Sequence, residues 1–174
     1  TVTFPGRKQP ALDGVSLRFD PGQFVCILGP SGAGKSTLMG CIMGFRKPDS
    51  GEVVAGGMRM GQTRSIPNGL IGYVPQQETL HDSLTVREAV TFAARLRLPA
   101  DTSPAEISAN VEQVIGEMRL QQAAETKIGN LSGGERKRAC LAAELVVDPA
   151  ILILDEATSS LDPARSEEHT SELQ

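Results

Sequence analysis

GPSGAGKST, residues 29–37, follows the apolar run FVCIL (24–28) directly and leads into the helix-like stretch TLMGCIMGF (37–45). Strand, glycine turn and helix in that order match G-x-x-x-x-G-K-S over residues 29–36. Gly29, Gly32 and Gly34 let the backbone curl so that successive N–H groups, with Ser31 among them, face phosphate oxygens. Lys35 then reaches the β- and γ-phosphates, the Ser36 hydroxyl can ligate Mg2+, and Thr37 adds a second hydroxyl to the cradle. The competing reading, a glycine turn beside a chance lysine, is weak because all three structural contexts are in place. ATP or GTP is the expected ligand.

A matching acidic end lies downstream. ILILDE (151–156) is a second unbroken apolar run closed by two carboxylates. Unbroken apolar runs are the mark of parallel strands covered on both faces, so 24–28 and 151–154 are expected in a central parallel sheet. Ligands bind at the carboxyl ends of such strands, where Asp155 can hold Mg2+ through water and Glu156 can deprotonate the attacking water. LSGGE (131–135) adds a further glycine-led helix start, opened by the capping box Ser132-x-x-Glu135 and expected to run to about Val147 before Asp148-Pro149.

The remaining pattern is that of one ordinary α/β domain. The chain has 174 residues, is 40% hydrophobic and carries a net charge of −4, or −2 without residues 165–174. That balance disfavours nucleic acid as a partner. The apolar runs are far shorter than the ~20 residues a membrane-spanning helix needs. Cys26, Cys41 and Cys140 sit among apolar neighbours, which suits packing in a reducing compartment better than a disulfide or zinc. VSLRF (15–19) alternates, and GEVVAGGMRM (51–60) reads as two short strands about Gly56-Gly57, together a peripheral antiparallel layer. Residues 70–74 form another candidate strand, followed by a hinge loop at Pro75-Gln76-Gln77. Capping boxes at Thr85/Glu88 and Ser103/Glu106 open two helices, with Pro104 at the first position of the second. Their apolar faces are Val86, Ala89, Val90, Ala93 and Leu96, and Ile107, Val111, Val114, Ile115 and Met118.

In this order the motifs resemble the nucleotide-binding domain of ATP-binding cassette (ABC) transporters. GPSGAGKST resembles its phosphate loop, YVPQ its glutamine loop, LSGGE its signature, ILILDE its acidic strand and SSLD (159–162) its aspartate loop. The resemblance implies an α/β P-loop NTPase core with a mostly parallel central sheet, a peripheral antiparallel β layer and an inserted α-helical subdomain at about 79–130. It covers residues 1–164. RSEEHTSELQ (165–174) resembles instead a sequencing adapter read in frame.

The same resemblance implies that two such domains pack head to tail, so that Ser132 and Gly134 of one contact the γ-phosphate held at Lys35 of the other. A helix N-terminus carries free N–H groups and positive partial charge suited to that role. Gln76, in preference to the adjacent Gln77, would touch Mg2+ and the attacking water. Asp162 would link the two sites, with a turn former before Pro163 as the plainer reading. Phe4 would stack on adenine, with a core phenylalanine as the alternative. The expected ligands are therefore ATP and Mg2+, and the expected partners a second nucleotide-binding domain and a transmembrane permease, fused or separate, at the cytoplasmic face of a membrane. The family's γ-phosphate histidine lies some thirty residues beyond the acidic strand. Neither His81 nor His169 fills that position, so this chain alone is expected to turn ATP over poorly.

LTVREAVTFAARLRLP (84–99) and LSGGERKRA resemble the G-type exporter branch, whereas DEATSSLD (155–162) departs from that branch's DEPTSGLD. The alternative is a non-transport ABC ATPase of the DNA-repair or translation-factor type. A DNA-repair type would insert a long coiled coil between phosphate loop and signature, and no sustained heptads occur there.

Overall fold

The structure is a computed structural model that describes residues 1–6, 9–61, 67, 69–76 and 79–155. Contacts divide the chain into two units, Thr1–Pro67 and Asn68–Gln174. The expected domain limits at 164 and the tail at 165–174 lie outside the described residues.

In the first unit the backbone of Val2 pairs with Leu12 in an antiparallel bridge. Helix α1 (Lys35–Ile42) follows the glycine loop. It ends where Gly44, at φ 73°, turns left-handed and donates to the Cys41 carbonyl. Strands β1 (Val54–Ala55) and β2 (Met58–Arg59) form the expected hairpin, with Val54 opposite Arg59. Gly56 and Gly57 both have positive φ, the backbone that a two-residue hairpin turn demands. Val2, Cys41, Met43, Ala55 and Met60 are buried.

Two expectations fail in this unit. Residues 15–19 and 24–28 lie in no strand, and Phe24 and Leu28 are 93% and 86% exposed. An apolar run specifies that a strand wants covering, but a ladder also needs a neighbour's donors and acceptors, and none pairs with these runs among the described residues. Cys26 accordingly is exposed rather than packed, while Cys41 and Cys140 are buried as expected.

The second unit is built on a parallel pair, β3 (Ile71–Val74) and β4 (Ile151–Leu154), in register from Ile71↔Ile151 to Val74↔Leu154. Gly72 is required there, since a Cβ would come 2.9 Å from Pro149 Cγ. Leu152 and Leu154 stay partly exposed, so β4 is covered on one face rather than on both. Helices α2 (Val86–Arg97), α3 (Pro104–Glu117) and α4 (Gly133–Leu145) each open on the capping box their sequence announces. Two 3-10 turns, Gln121–Ala123 and Ile128–Asn130, join α3 to α4.

The helices bury one shared core of Val86, Val90, Val111, Ile115, Leu120 and Ile128, with Ala139, Ala142 and Val146 of the α4 segment. Each large aliphatic side chain so enclosed contributes about 1.5–3 kcal/mol. The core runs past residue 130 into α4, so the helical layer and the LSGGE helix are one packed body. Leu96, expected on the inner face of α2, is 78% exposed. It lies in the last turn, where Arg97 turns toward β3 instead. Among the described residues no helix is long and apolar enough to cross a membrane.

Candidate functional site

The loop at 29–37 is shaped by its glycines. Gly32 and Gly34 have φ of 79° and 91°, left-handed values that a side chain disfavours. Gly34 has a second reason, because a Cβ there would stand 2.6 Å from the Ala11 carbonyl oxygen. It is also the residue from which α1 starts. Lys35 Nζ donates to the carbonyl oxygens of Gly29 (2.7 Å) and Pro30 (3.0 Å), folding the amine over the loop's own first turn.

The start of α1 differs from that of the other α-helices. No side chain caps it and no acid stands in its first turn. By contrast α2, α3 and α4 open on Thr85, Ser103 and Ser132, with Glu88, Glu106 and Glu135 closing the boxes. The first N–H groups of a helix have no intrahelical acceptor, and they carry positive partial charge. On α1 those groups meet no capping side chain among the described residues, and Lys35, Ser36 and Thr37 stand in the same turn.

Phe4, the expected adenine platform, lies in this unit under the Arg46 guanidinium, 4.2 Å from its ring centroid. One side of the ring is thus in a cation–π contact.

In the second unit the parallel pairing brings Gln76 and Asp155 out of the same end of the β3–β4 ladder, where Asp155 N donates to the Val74 carbonyl at 2.9 Å. The Tyr73 hydroxyl donates to Asp155 Oδ2 at 3.3 Å. Burial, and then the Asp155 charge, push the Tyr73 hydroxyl above the ordinary phenol range, which keeps it a donor. Glu156, Gln77 and Asp162 lie outside the described residues.

Ser132 is fully engaged within its own helix. Its hydroxyl donates to Glu135 Oε2 at 2.6 Å and accepts from Glu135 N at 3.3 Å, while Ser132 N donates to the same carboxylate at 3.0 Å. These bonds hold Glu135 below the usual carboxylate range. The α4 tip therefore carries its own anion, and Gly134 lies just inside it.

Ser36 and Asp155 are hard oxygen donors of the kind Mg2+ takes, although among the described residues no three His, Cys, Asp or Glu side chains cluster as a metal site. Each donor by itself suits a cation that keeps most of its waters and shares phosphate oxygens.

A part-buried cluster beside Tyr73 was not expected from the sequence. Glu144 Oε2 of α4 accepts from Tyr73 N (3.0 Å) and from Arg97 Nη1 of α2 (2.7 Å), and Arg97 Nη2 donates to the Ile71 carbonyl (3.3 Å). Its one sequence signal is an acid on the inner stripe of α4, four residues after Cys140. A second tie, Arg136 to Asp82 at 2.8 Å, fastens α4 to the loop before α2.

Comparison with known proteins agrees with this arrangement. The family model described as ABC transporter matches residues 12–159. The chain is 43% identical over 164 residues to the ABC transporter ATP-binding/permease protein Rv1747 of Mycobacterium tuberculosis, covering 94% of this chain and 19% of that one. It is 39% identical to ABC transporter G family member 13 of Arabidopsis thaliana, covering 94% and 25%. To ATP-binding cassette sub-family G member 8 of Rattus norvegicus it is 40% identical, covering 85% and 22%. The chain thus spans a quarter or less of these relatives' lengths. Among solved structures it is similar to a dimeric post-hydrolysis state of the ATP-binding cassette MJ0796 bound to ADP and Pi, with a TM-score of 0.76, 32% identity, and coverage of 91% of this chain and 71% of that one. With its glycine loop, signature helix and acidic strand in family order, the chain belongs to the ABC transporter family, as one of its ATP-hydrolysing nucleotide-binding domains of α/β fold.

Proposed function

We propose that two copies of this domain, or this domain and a related one, pair head to tail around ATP and use its hydrolysis to power export of a substrate through a permease, from the cytoplasmic face of a membrane. The observation that carries this reading is the contrast between helix starts: among the described residues α1 is the one α-helix whose first turn no side chain caps, and it follows a loop in which a Cβ at position 34 would clash with the Ala11 carbonyl. The names of the relatives, one an ATP-binding/permease protein and others of the G family, support the permease and the exporter branch. The dimeric ADP- and Pi-bound neighbour supports the pairing.

In this reading the N–H groups from Gly29 to Thr37 hold the phosphates, with Ser31, Gly32 and Gly34 shaping the cradle and Lys35 bridging the β- and γ-phosphates. Ser36 and Asp155 would hold Mg2+, which would neutralise charge on the phosphate oxygens. Gln76 orients the water. Glu156 takes its proton as the water oxygen bonds to the γ-phosphorus and the bridging P–O bond to the departing ADP breaks. Ser132 and Gly134 of the second domain cover the γ-phosphate, Asp162 links the two sites and Phe4 packs on adenine. Residues 79–130 form the helical subdomain that faces the permease.

The test is the oligomeric state of the Glu156→Gln protein, which binds ATP without consuming it. Light scattering should show its mass doubling with MgATP and returning to the monomer value with MgADP. A monomer in saturating MgATP would rule the paired arrangement out.

A further inference from the structure

We propose that Tyr73 is a positioning residue for ATP hydrolysis: by donating to Oδ2 of Asp155 it fixes which carboxylate oxygen is presented to the Mg2+ side. The inference rests on the reading of Asp155 as the Mg2+-side carboxylate and adds a residue that this reading does not contain.

The geometry is that of a lever held at both ends. Tyr73 stands opposite Ile153 in the β3–β4 register, two residues short of Asp155, and its hydroxyl reaches beyond the ladder to Asp155 Oδ2 at 3.3 Å. At its other end Tyr73 N donates to Glu144 Oε2 of α4 at 3.0 Å. Glu144 is itself held by Arg97 of α2 at 2.7 Å, and Arg97 returns to β3 through the Ile71 carbonyl at 3.3 Å.

The backbone of Asp155 is pinned by its N–H to the Val74 carbonyl at 2.9 Å, so the freedom left to the carboxylate is rotation about its own bonds. A donor on Oδ2 removes that rotation and leaves Oδ1 as the oxygen facing away from Tyr73. Partners of a ligand side chain orient it, and their loss weakens metal affinity by about 10–100-fold where the ligand binds directly. Asp155 is expected to act through water, which places the effect at the low end of that range.

The sequence makes the contact measurable. Tyr73 is the single tyrosine and the chain has no tryptophan, so all its intrinsic emission above that of phenylalanine comes from this ring. A phenol donating to a carboxylate is quenched relative to one that donates to water. In the nucleotide-free chain, Asp155→Ala should raise the Tyr73 emission. Unchanged emission would overturn the contact, whatever Tyr73→Phe does to folding.

The second measurement is equilibrium binding of the fluorescent analogue mant-ATP as Mg2+ is varied, with binding in EDTA as the metal-free reference. Tyr73→Phe should raise the half-saturating Mg2+ concentration about tenfold and leave metal-free binding unchanged, which a merely structural loss would not do. Asp155→Ala should raise it further. If Asp155→Ala shifts the Mg2+ dependence and Tyr73→Phe does not, the positioning role is wrong while the reading of Asp155 stands. If neither variant shifts it, the reading of Asp155 falls as well.

Discussion

Replacing Glu144 by alanine removes one carboxylate oxygen that serves two donors in different elements. The first is the backbone N–H of Tyr73 at 3.0 Å. A bond from such a group to a charged acceptor contributes about 1.5–2 kcal/mol. The second is Arg97, whose side chain and that of Glu144 are 23% and 25% exposed. Exposed pairs contribute about 0–1 kcal/mol, whereas breaking a fully buried pair costs about 3–5 kcal/mol. A pair three-quarters enclosed with a second bond to Ile71 falls between, at about 1–2 kcal/mol. The total is about 3 kcal/mol, which at a urea dependence of about 2 kcal/mol per M lowers the unfolding midpoint by about 1.5 M. Glu144→Gln keeps an acceptor for Tyr73 N and loses only the charge, so its cost should be about 1 kcal/mol. Urea unfolding followed by Tyr73 emission reads this strand directly. The cycle with Arg97→Ala should return a coupling of about 1 kcal/mol. If Glu144→Ala stays within about 0.5 kcal/mol of the parent, or if Glu144→Gln costs as much as the alanine change, the account of this cluster is refuted.

Gly34→Ala should abolish mant-ATP binding, since it combines a left-handed φ with a 2.6 Å approach to the Ala11 carbonyl. Gly32→Ala, strained in φ alone with open space around it, should cost only about 1 kcal/mol in chemical denaturation. Lys35→Ala should remove nucleotide binding in the same titration with a change in urea midpoint too small to resolve, because its two bonds go to carbonyls of an exposed loop. Glu106 and Glu135 are both held below their ordinary value by their serine partners. Their capping therefore stabilises α3 and α4 above pH 4.5 and is lost as pH falls through the lowered values. In far-UV acid titrations the Ser103→Ala/Ser132→Ala protein should begin to lose helix at a higher pH than the parent. Coincident curves would contradict the assignment.

Local chemistry was legible wherever a few adjacent residues decide a structure. Each capping box named a helix start to the residue, because a hydroxyl and a carboxylate three positions apart satisfy each other's backbone whatever lies around them. Gly56-Gly57 likewise named the hairpin turn. The failures were of another kind. FVCIL carries the composition of a buried strand, but a ladder is a property of two segments, and nothing in 24–28 states which neighbour supplies the other half. Glu144 and Arg97 were invisible for the same reason, lying 47 residues apart and each ordinary in its own helix. Gln76 and Asp155 are proposed for the site from their motifs alone. That the β3–β4 register sends both from one end of the ladder was not legible there.

Under the proposed function, the bare start of α1 ties the domain's stability to its ligand. A helix whose first turn is completed by a bound anion gains persistence only in proportion to how often that anion is there. At a free nucleotide level a hundredfold above its dissociation constant the gain is about 2.7 kcal/mol. Protease resistance around residues 29–42 should therefore rise with added nucleotide, and equal resistance with and without it would count against a ligand at this helix start.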